Sequence, residues 1–272
     1  MPSPSSVSPY LIDVPRSLQI LPDPPARLFA LGDSALLDPR LKIAIIGTRK
    51  PNTYTQTYTT LLASSLANIG ATIVSGGALG TDIIAHSAAL PSTICVLPTS
   101  LDRFYPASNA KIIQAIADQG LLLSEYECNP TPQRYDFLHR NRLIVALSDI
   151  VIIPQADRYS GSLASANLCT KLDKPIFVLS HRIGESLGTQ DLLAKKRASA
   201  ITDIEAFIQA LATRFGLKAQ EAKERDRLLE FALSNPTFEE AFARFGEKVL
   251  EYELMGKITR ENGRIILVAH NH

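Results

Sequence analysis

Residues 71–86 read ATIVSGGALGTDIIAH, and this stretch decides the fold. An apolar β-prone segment, 71–75, runs through a loop with three glycines into a helix expected over 82–90. In a strand–glycine loop–helix unit, backbone N–H groups can face an anion. The helix N-terminus adds a positive dipole. Ser75, Gly76, Gly77, Ala78, Leu79 and Gly80 are therefore candidate phosphate-loop residues. Asp82 has two open roles: holding the loop and capping the helix through backbone bonds, or meeting a ligand.

Upstream, 41–46 (LKIAII) reads as a buried strand, and 57–69 as a helix stopped by Gly70. Between them lies a second loop, Gly47-Thr48-Arg49-Lys50-Pro51. Gly47 permits a tight turn, Thr48 offers a hydroxyl, and Arg49 offers a planar charged fork suited to phosphate. The two loops follow neighbouring strands and can converge on one site. From Pro51 to Thr81 there is no charged residue, so the intervening helix does not repel a polyanion.

Downstream the alternation continues. Strands are expected at 92–98, 121–126, 149–154 and 175–180, with helices at 109–119, 140–147 and 162–171. Apolar runs without alternation mark strands covered on both faces, and intervening helices mark parallel β-α-β units. The expected fold is α/β: a Rossmann-like doubly wound sheet with ligands at the carboxyl ends of its strands. Residues 1–40 read as an N-terminal arm ending in a strand, and 41–200 as the sheet domain. Residues 201–224 read as a helix and charged linker, and 225–272 as a small C-terminal domain. In that domain helices at 225–233, 237–242 and 247–255 precede a hairpin at 257–268 with Asn262-Gly263 at its turn, a winged-helix-like order.

The chain has 272 residues, 46% hydrophobic and 20% charged, with a formal net charge of +1. That balance fits a globular protein with a sizeable core and excludes a polybasic binder, though not a local basic groove. The block 41–200 holds roughly 15 basic and 11 acidic residues, so the basic surplus sits in the sheet domain. Cys95, Cys128 and Cys169 are expected as free thiols in a reducing compartment. No secretory leader and no membrane-length apolar run is visible, so a cytoplasmic location is expected.

Two further segments carry chemistry. Residues 133–142, QRYDFLHRNR, interleave Arg134, Arg140 and Arg142 with Tyr135 and Phe137. That mixture suits nucleic acid, arginines meeting phosphates and rings stacking on bases, but it equally suits a helix start with a solvated basic face. Ser160, Gly161 and Ser162 follow a strand and open a helix, making another candidate cradle. The C-terminal module carries Glu247, Glu251 and Glu253 on its would-be recognition helix, which favours packing or protein contact over DNA reading. No catalytic constellation, metal-ligand spacing or dinucleotide fingerprint is present, so no catalytic residue, metal or cofactor is expected.

The segments IIGTRKP, TIVSGGALGTDIIAH, LDRFYP, HRNRLIVALSD and SGSLASA, in this order, resemble the DprA/Smf family (DNA processing protein A) over about 25–205. The resemblance implies a non-enzymatic, homodimeric protein that binds single-stranded DNA, and double-stranded DNA more weakly, during natural transformation. It implies protection of incoming strands, displacement of single-strand-binding protein and loading of the RecA recombinase. Carried over, Arg49 is a main phosphate ligand and Gly76, Gly77, Ala78 and Gly80 form a backbone cradle. Arg134 adds charge, Phe137 contacts bases, Arg140, Asn141 and Arg142 line or shape the pocket, and Ser160, Gly161 and Ser162 complete its rim. The chain departs from the family pattern at Thr81, where Ile or Val is common, and at Leu138, where Pro is common. The N-terminal arm reads as too short for the helical domain of some relatives.

The main rival is a nucleotide phosphoribohydrolase of related fold. Its P-G-G-x-G-T signature and downstream Glu are replaced here by Ser160-Gly161-Ser162-Leu163-Ala164-Ser165 with no Glu in the helix. An interaction scaffold with a vestigial site is the third reading.

Overall fold

The computed structural model describes residues 8–38, 40–127, 131–217, 227–232 and 236–267. Cys128, His270, His272 and most of the charged linker lie outside them. The chain divides into two compact units, residues 1–220 and 221–272.

In the first unit the order is β1 Tyr10–Ile12, β2 Leu28–Gly32, β3 Lys42–Ile45, α1 Thr53–Asn68, β4 Thr72–Ser75, α2 Thr81–Ala89, β5 Thr93–Val96, α3 Ala110–Gln119 and β6 Leu121–Ser124. Then follow α4 Arg134–Leu147, β7 Ile150–Ile153, α5 Gly161–Lys171, β8 Ile176–Leu179, α6 Leu187–Ala194, β9 Ser199–Ile201 and α7 Ile204–Phe215. Among the described residues the nine strands form one sheet in the order β1-β2-β6-β5-β4-β3-β7-β8-β9. The strands from β3 to β9 are parallel, as expected. The N-terminal arm adds two strands, β2 antiparallel to β6 and β1 antiparallel to β2.

Alternate side chains of each central strand point to opposite faces. Ile43 and Ile45 join the core under α1, α2 and α7, while Ala44 and Ile46 join the core under α4 and α5. Both faces are covered, so the run LKIAII shows no alternation. Two elements begin earlier than the apolar spacing predicts. Helix α1 starts at Thr53 because the Asn52 side chain accepts from the Thr55 N–H at 2.8 Å. Helix α4 starts at Arg134 through a capping box between Gln133 and Asp136.

Strand order reverses between β3 and β7. Chain after β3 proceeds outward through β4, β5 and β6, and chain after β7 proceeds outward the other way. This is the switch point at which open α/β sheets leave a crevice for ligands. Gly47 and Thr48 stand on one side of it and Gln155 on the other, joined by the Thr48 N–H donating to Gln155 O at 2.9 Å.

The second unit holds α8 Arg227–Ala232, α9 Phe238–Phe245 and α10 Lys248–Leu254, then β10 Ile258–Glu261 paired antiparallel with β11 Arg264–Leu267. Asn262 and Gly263 both take positive φ, 50° and 75°, as the two-residue hairpin turn requires. Leu228, Ala232, Ala241, Val249, Tyr252, Ile258 and Ile265 make its core. Among the described residues no helix is long and apolar enough to cross a membrane.

Candidate nucleic-acid interface

The loops after β3 and β4 touch each other. Gly80 has φ +78°, and a Cβ there would lie 2.6 Å from the backbone of Thr48 and Arg49. Only glycine permits that approach. Thr81 ties the same contact, its N–H and its hydroxyl donating to Thr48 O at 3.1 and 3.0 Å. The threonine that departs from the family pattern thus fastens the two loops together. Thr48 Oγ1 accepts from the Lys50 N–H at 3.2 Å, which tightens the turn and leaves Arg49 and Lys50 exposed at its tip.

The glycine loop is held from behind by two buried groups of opposite charge, Asp82 and Arg140. Asp82, 6% exposed, accepts from the N–H groups of Gly47, Gly76 and Ala78. Burial pushes its carboxyl up from the ordinary range, opposed by the Arg140 charge and those three donors. Arg140, 3% exposed, donates from Nη1 to Gly76 O at 2.6 Å and to Val96 O. Asn109, also buried, donates to Gly77 O at 2.9 Å.

The N–H groups of Gly76 and Ala78 interact with a carboxylate of their own chain, the loop-holding role left open for Asp82. The first turn of α2 carries its own negative charge, and that charge takes them. Arg140 has no open face: of its two expected parts, lining or shaping, the geometry gives it the shaping one.

Arg142 is likewise committed. Its side chain is 11% exposed and pairs with Glu125 at 2.6 Å and Asp23 at 3.2 Å. Asn141 Oδ1 accepts from Arg140 Nε at 3.1 Å. The open side of α4 is carried instead by the exposed Arg134 and the half-buried Phe137. The Arg49 guanidinium lies over the Phe137 ring, 5.5 Å from its centroid. Tyr105, 44% exposed, lies beside the same ring, centroids 5.7 Å apart. Tyr105 was legible only as part of the segment LDRFYP, and Asn109 and Gln155 gave no signal in the sequence. Gly161 approaches Leu138 of α4, so the Ser160-Gly161-Ser162 turn adjoins the same helix. Ser162 is buried and Gly161 exposed.

Two titratable groups near the loops are buried and shifted away from neutral pH. His86 is buried with Nδ1 2.7 Å from Thr93 Oγ1, and burial and the Arg140 charge push its pKa down to about 3. Cys95 is buried and pushed up to about 12, so it stays a thiol. Among the described residues no cluster of His, Cys, Asp and Glu could hold a metal ion.

The family model of DNA recombination-mediator protein A matches residues 9–212. A Protein Smf of Synechocystis sp. is 37% identical over 202 residues, 70% of this chain and 50% of that protein. The DNA processing protein DprA of Bacillus subtilis is 34% identical, covering 72% of this chain and 68% of its own length. The chain spans about half to two thirds of the length of these curated relatives. Among solved structures, DNA processing protein A from Helicobacter pylori, described for its unique single-stranded DNA binding mode, is 52% identical. It superposes with a TM-score of 0.76, covering 77% of this chain and 98% of that one. DprA from Streptococcus pneumoniae gives 31% identity and a TM-score of 0.68, covering 76% and 75%. Loops, core and family match agree: this chain belongs to the DprA/Smf family, the DNA recombination-mediator protein A family.

Proposed function

We propose that this chain binds single-stranded DNA along the carboxyl edge of its sheet, at the loops after β3 and β4 and the N-terminal turn of α4. The observation that carries the reading is Arg49. It is an exposed cation at the switch point, beside the half-buried ring of Phe137 and the exposed ring of Tyr105. A backbone phosphate meets Arg49, with Lys50 and Arg134 adding charge, and the rings accept the faces of bases. Gly77, Leu79 and Gly80, with the Ser160–Ser162 turn, shape the walls, and Ser75, Gly76 and Arg140 hold them from within. Recognition through backbone and π-faces tolerates any base sequence and disfavours a duplex, whose bases are already stacked.

The similarity to the Helicobacter pylori protein supports this reading. By the same family membership the chain acts in natural transformation as a cytoplasmic homodimer without enzymatic activity. It protects incoming strands and loads RecA onto strands covered by single-strand-binding protein. Asp82 supports the non-catalytic part: this buried acidic group is engaged by three N–H donors of the loops and lies in the field of Arg140. Fluorescence anisotropy with labelled single and double strands tests the binding. Tighter binding to single strands, weakened at least tenfold by Arg49→Ala, is the expected result. Equal affinity for both forms, or release of free base from nucleoside monophosphates, contradicts it.

A further inference from the structure

The first turns of α1 carry an aromatic cluster that the pocket around Arg49 does not use. Tyr54 and Tyr58 are 40% and 37% exposed, with ring centroids 4.7 Å apart. The Tyr54 ring meets His181 edge-on at 5.4 Å. The His181 side chain is itself buried, and its Nε2 is fixed 2.8 Å from Pro154 O, the residue that follows β7. Tyr54 is therefore braced from beneath by a side chain anchored to the sheet. A braced ring is pre-organised contact area that loses little freedom on binding.

Position and charge say what the area fits. Asn52, which caps α1, donates its N–H to Gln155 Oε1 at 3.1 Å, across the same switch point that Thr48 spans. Tyr54 stands five positions after Arg49, so the two backbones lie within about 18 Å of each other. Thr53, Gln56 and Thr57 are exposed around the rings, and no charged residue occurs between Pro51 and Thr81. The platform is thus aromatic, polar and free of carboxylates on its own helix, with exposed Lys50 before it in the chain and exposed Arg182 next to His181. Glu185, 3.8 Å from His181 Nδ1, is the acidic group that faces it.

We infer that Tyr54 and Tyr58 form a second stacking platform, on which bases of a single strand rest after the strand leaves Arg49. The inference rests on the proposed binding at Arg49. It adds that the path turns over the N-terminus of α1 toward β7 and β8, and that the site is longer than one pocket.

The test uses the full chain and labelled oligo-dT of about 6 and about 20 nucleotides, lengths that bracket a single-domain site. The variant Tyr54→Ala/Tyr58→Ala is expected to bind the short strand within twofold of the parent and the long strand at least fivefold more weakly. Tyr54→Phe/Tyr58→Phe keeps the rings and is expected to keep the long-strand affinity. Photocrosslinking with 5-iodouracil placed along the long strand is expected to mark the peptide containing Tyr54. An unchanged long-strand affinity overturns the platform, as does an equal loss on both lengths. A lower solution mass of the alanine variant assigns the tyrosines to a contact between copies and also overturns it. If Arg49→Ala leaves every affinity unchanged, the underlying pocket fails, a result distinct from failure of the platform alone.

Discussion

Replacing Arg140 by Met tests how the glycine loop is held. The substitution keeps an unbranched apolar stem and removes the guanidinium. Asp82 then stays in the interior with three N–H donors and no cation. Leaving a buried charge without the opposite charge that compensates it costs about 3–5 kcal/mol. Gly76 O and Val96 O also lose their donor, at about 1–3 kcal/mol for each group left dry. Water reaching one carbonyl leaves the other dry, so a total of about 4–8 kcal/mol is expected. That is a large part of the stability of an ordinary domain, about 5–15 kcal/mol. The chain has no tryptophan, so far-UV circular dichroism in urea follows the unfolding. The double variant Arg140→Met/Asp82→Asn removes the stranded charge and is expected to recover about 1–3 kcal/mol relative to the sum of the singles. The pH dependence has a definite sign. A carboxyl whose folded pKa lies above its unfolded value penalises folding fully above the folded pKa, and the penalty vanishes below the unfolded pKa. The single variant should therefore lose less stability in mild acid than at neutral pH. A loss below about 1 kcal/mol, or strict additivity in the cycle, refutes the coupling of Asp82 and Arg140 as the loop's support.

Three further outcomes follow from the same geometry. Gly80→Ala places a methyl group 2.6 Å from the Arg49 backbone at φ +78°. It should destabilise by about 2–4 kcal/mol and weaken DNA binding, whereas Gly70→Ala, at φ +88° with nothing within 4 Å, should cost less and leave binding unchanged in anisotropy. His86, with its folded pKa near 3 against 6.5 when unfolded, contributes stability that is lost as pH falls below 6.5. About 2 kcal/mol should disappear between pH 7 and pH 5 and be absent in His86→Gln, read by urea midpoints. Phe137→Ala should weaken single-strand affinity by about 1–3 kcal/mol without shifting the unfolding midpoint comparably.

The sheet was legible in the sequence because its central strands are buried on both faces. Residues 41–46 and 149–154 could only be strands once glycine loops and helices alternated with them. Helix α6 and strand β9 carry no clear signal in the sequence. Gly188 sits against Ala156 O and weakens the helical pattern, and Ser199 and Ala200 are exposed at the sheet's edge. The site was half legible. Arg49 follows a strand-ending glycine, and its exposure could be expected from that place. Arg140 and Arg142 look like Arg134 along the chain, yet they are buried or neutralised by Asp82, Asp23 and Glu125. Those partners come from other elements, so pairing that consumes an arginine is invisible until the fold brings them together.

The proposed interface rests above all on Arg49, and its salt dependence tests it most directly. For single strands the slope of log affinity against log salt is about −0.7 per neutralised phosphate. Arg49→Ala should weaken binding at every salt concentration and make the slope shallower by about 0.7. An unchanged affinity with an unchanged slope would show that the strand does not meet the loop after β3.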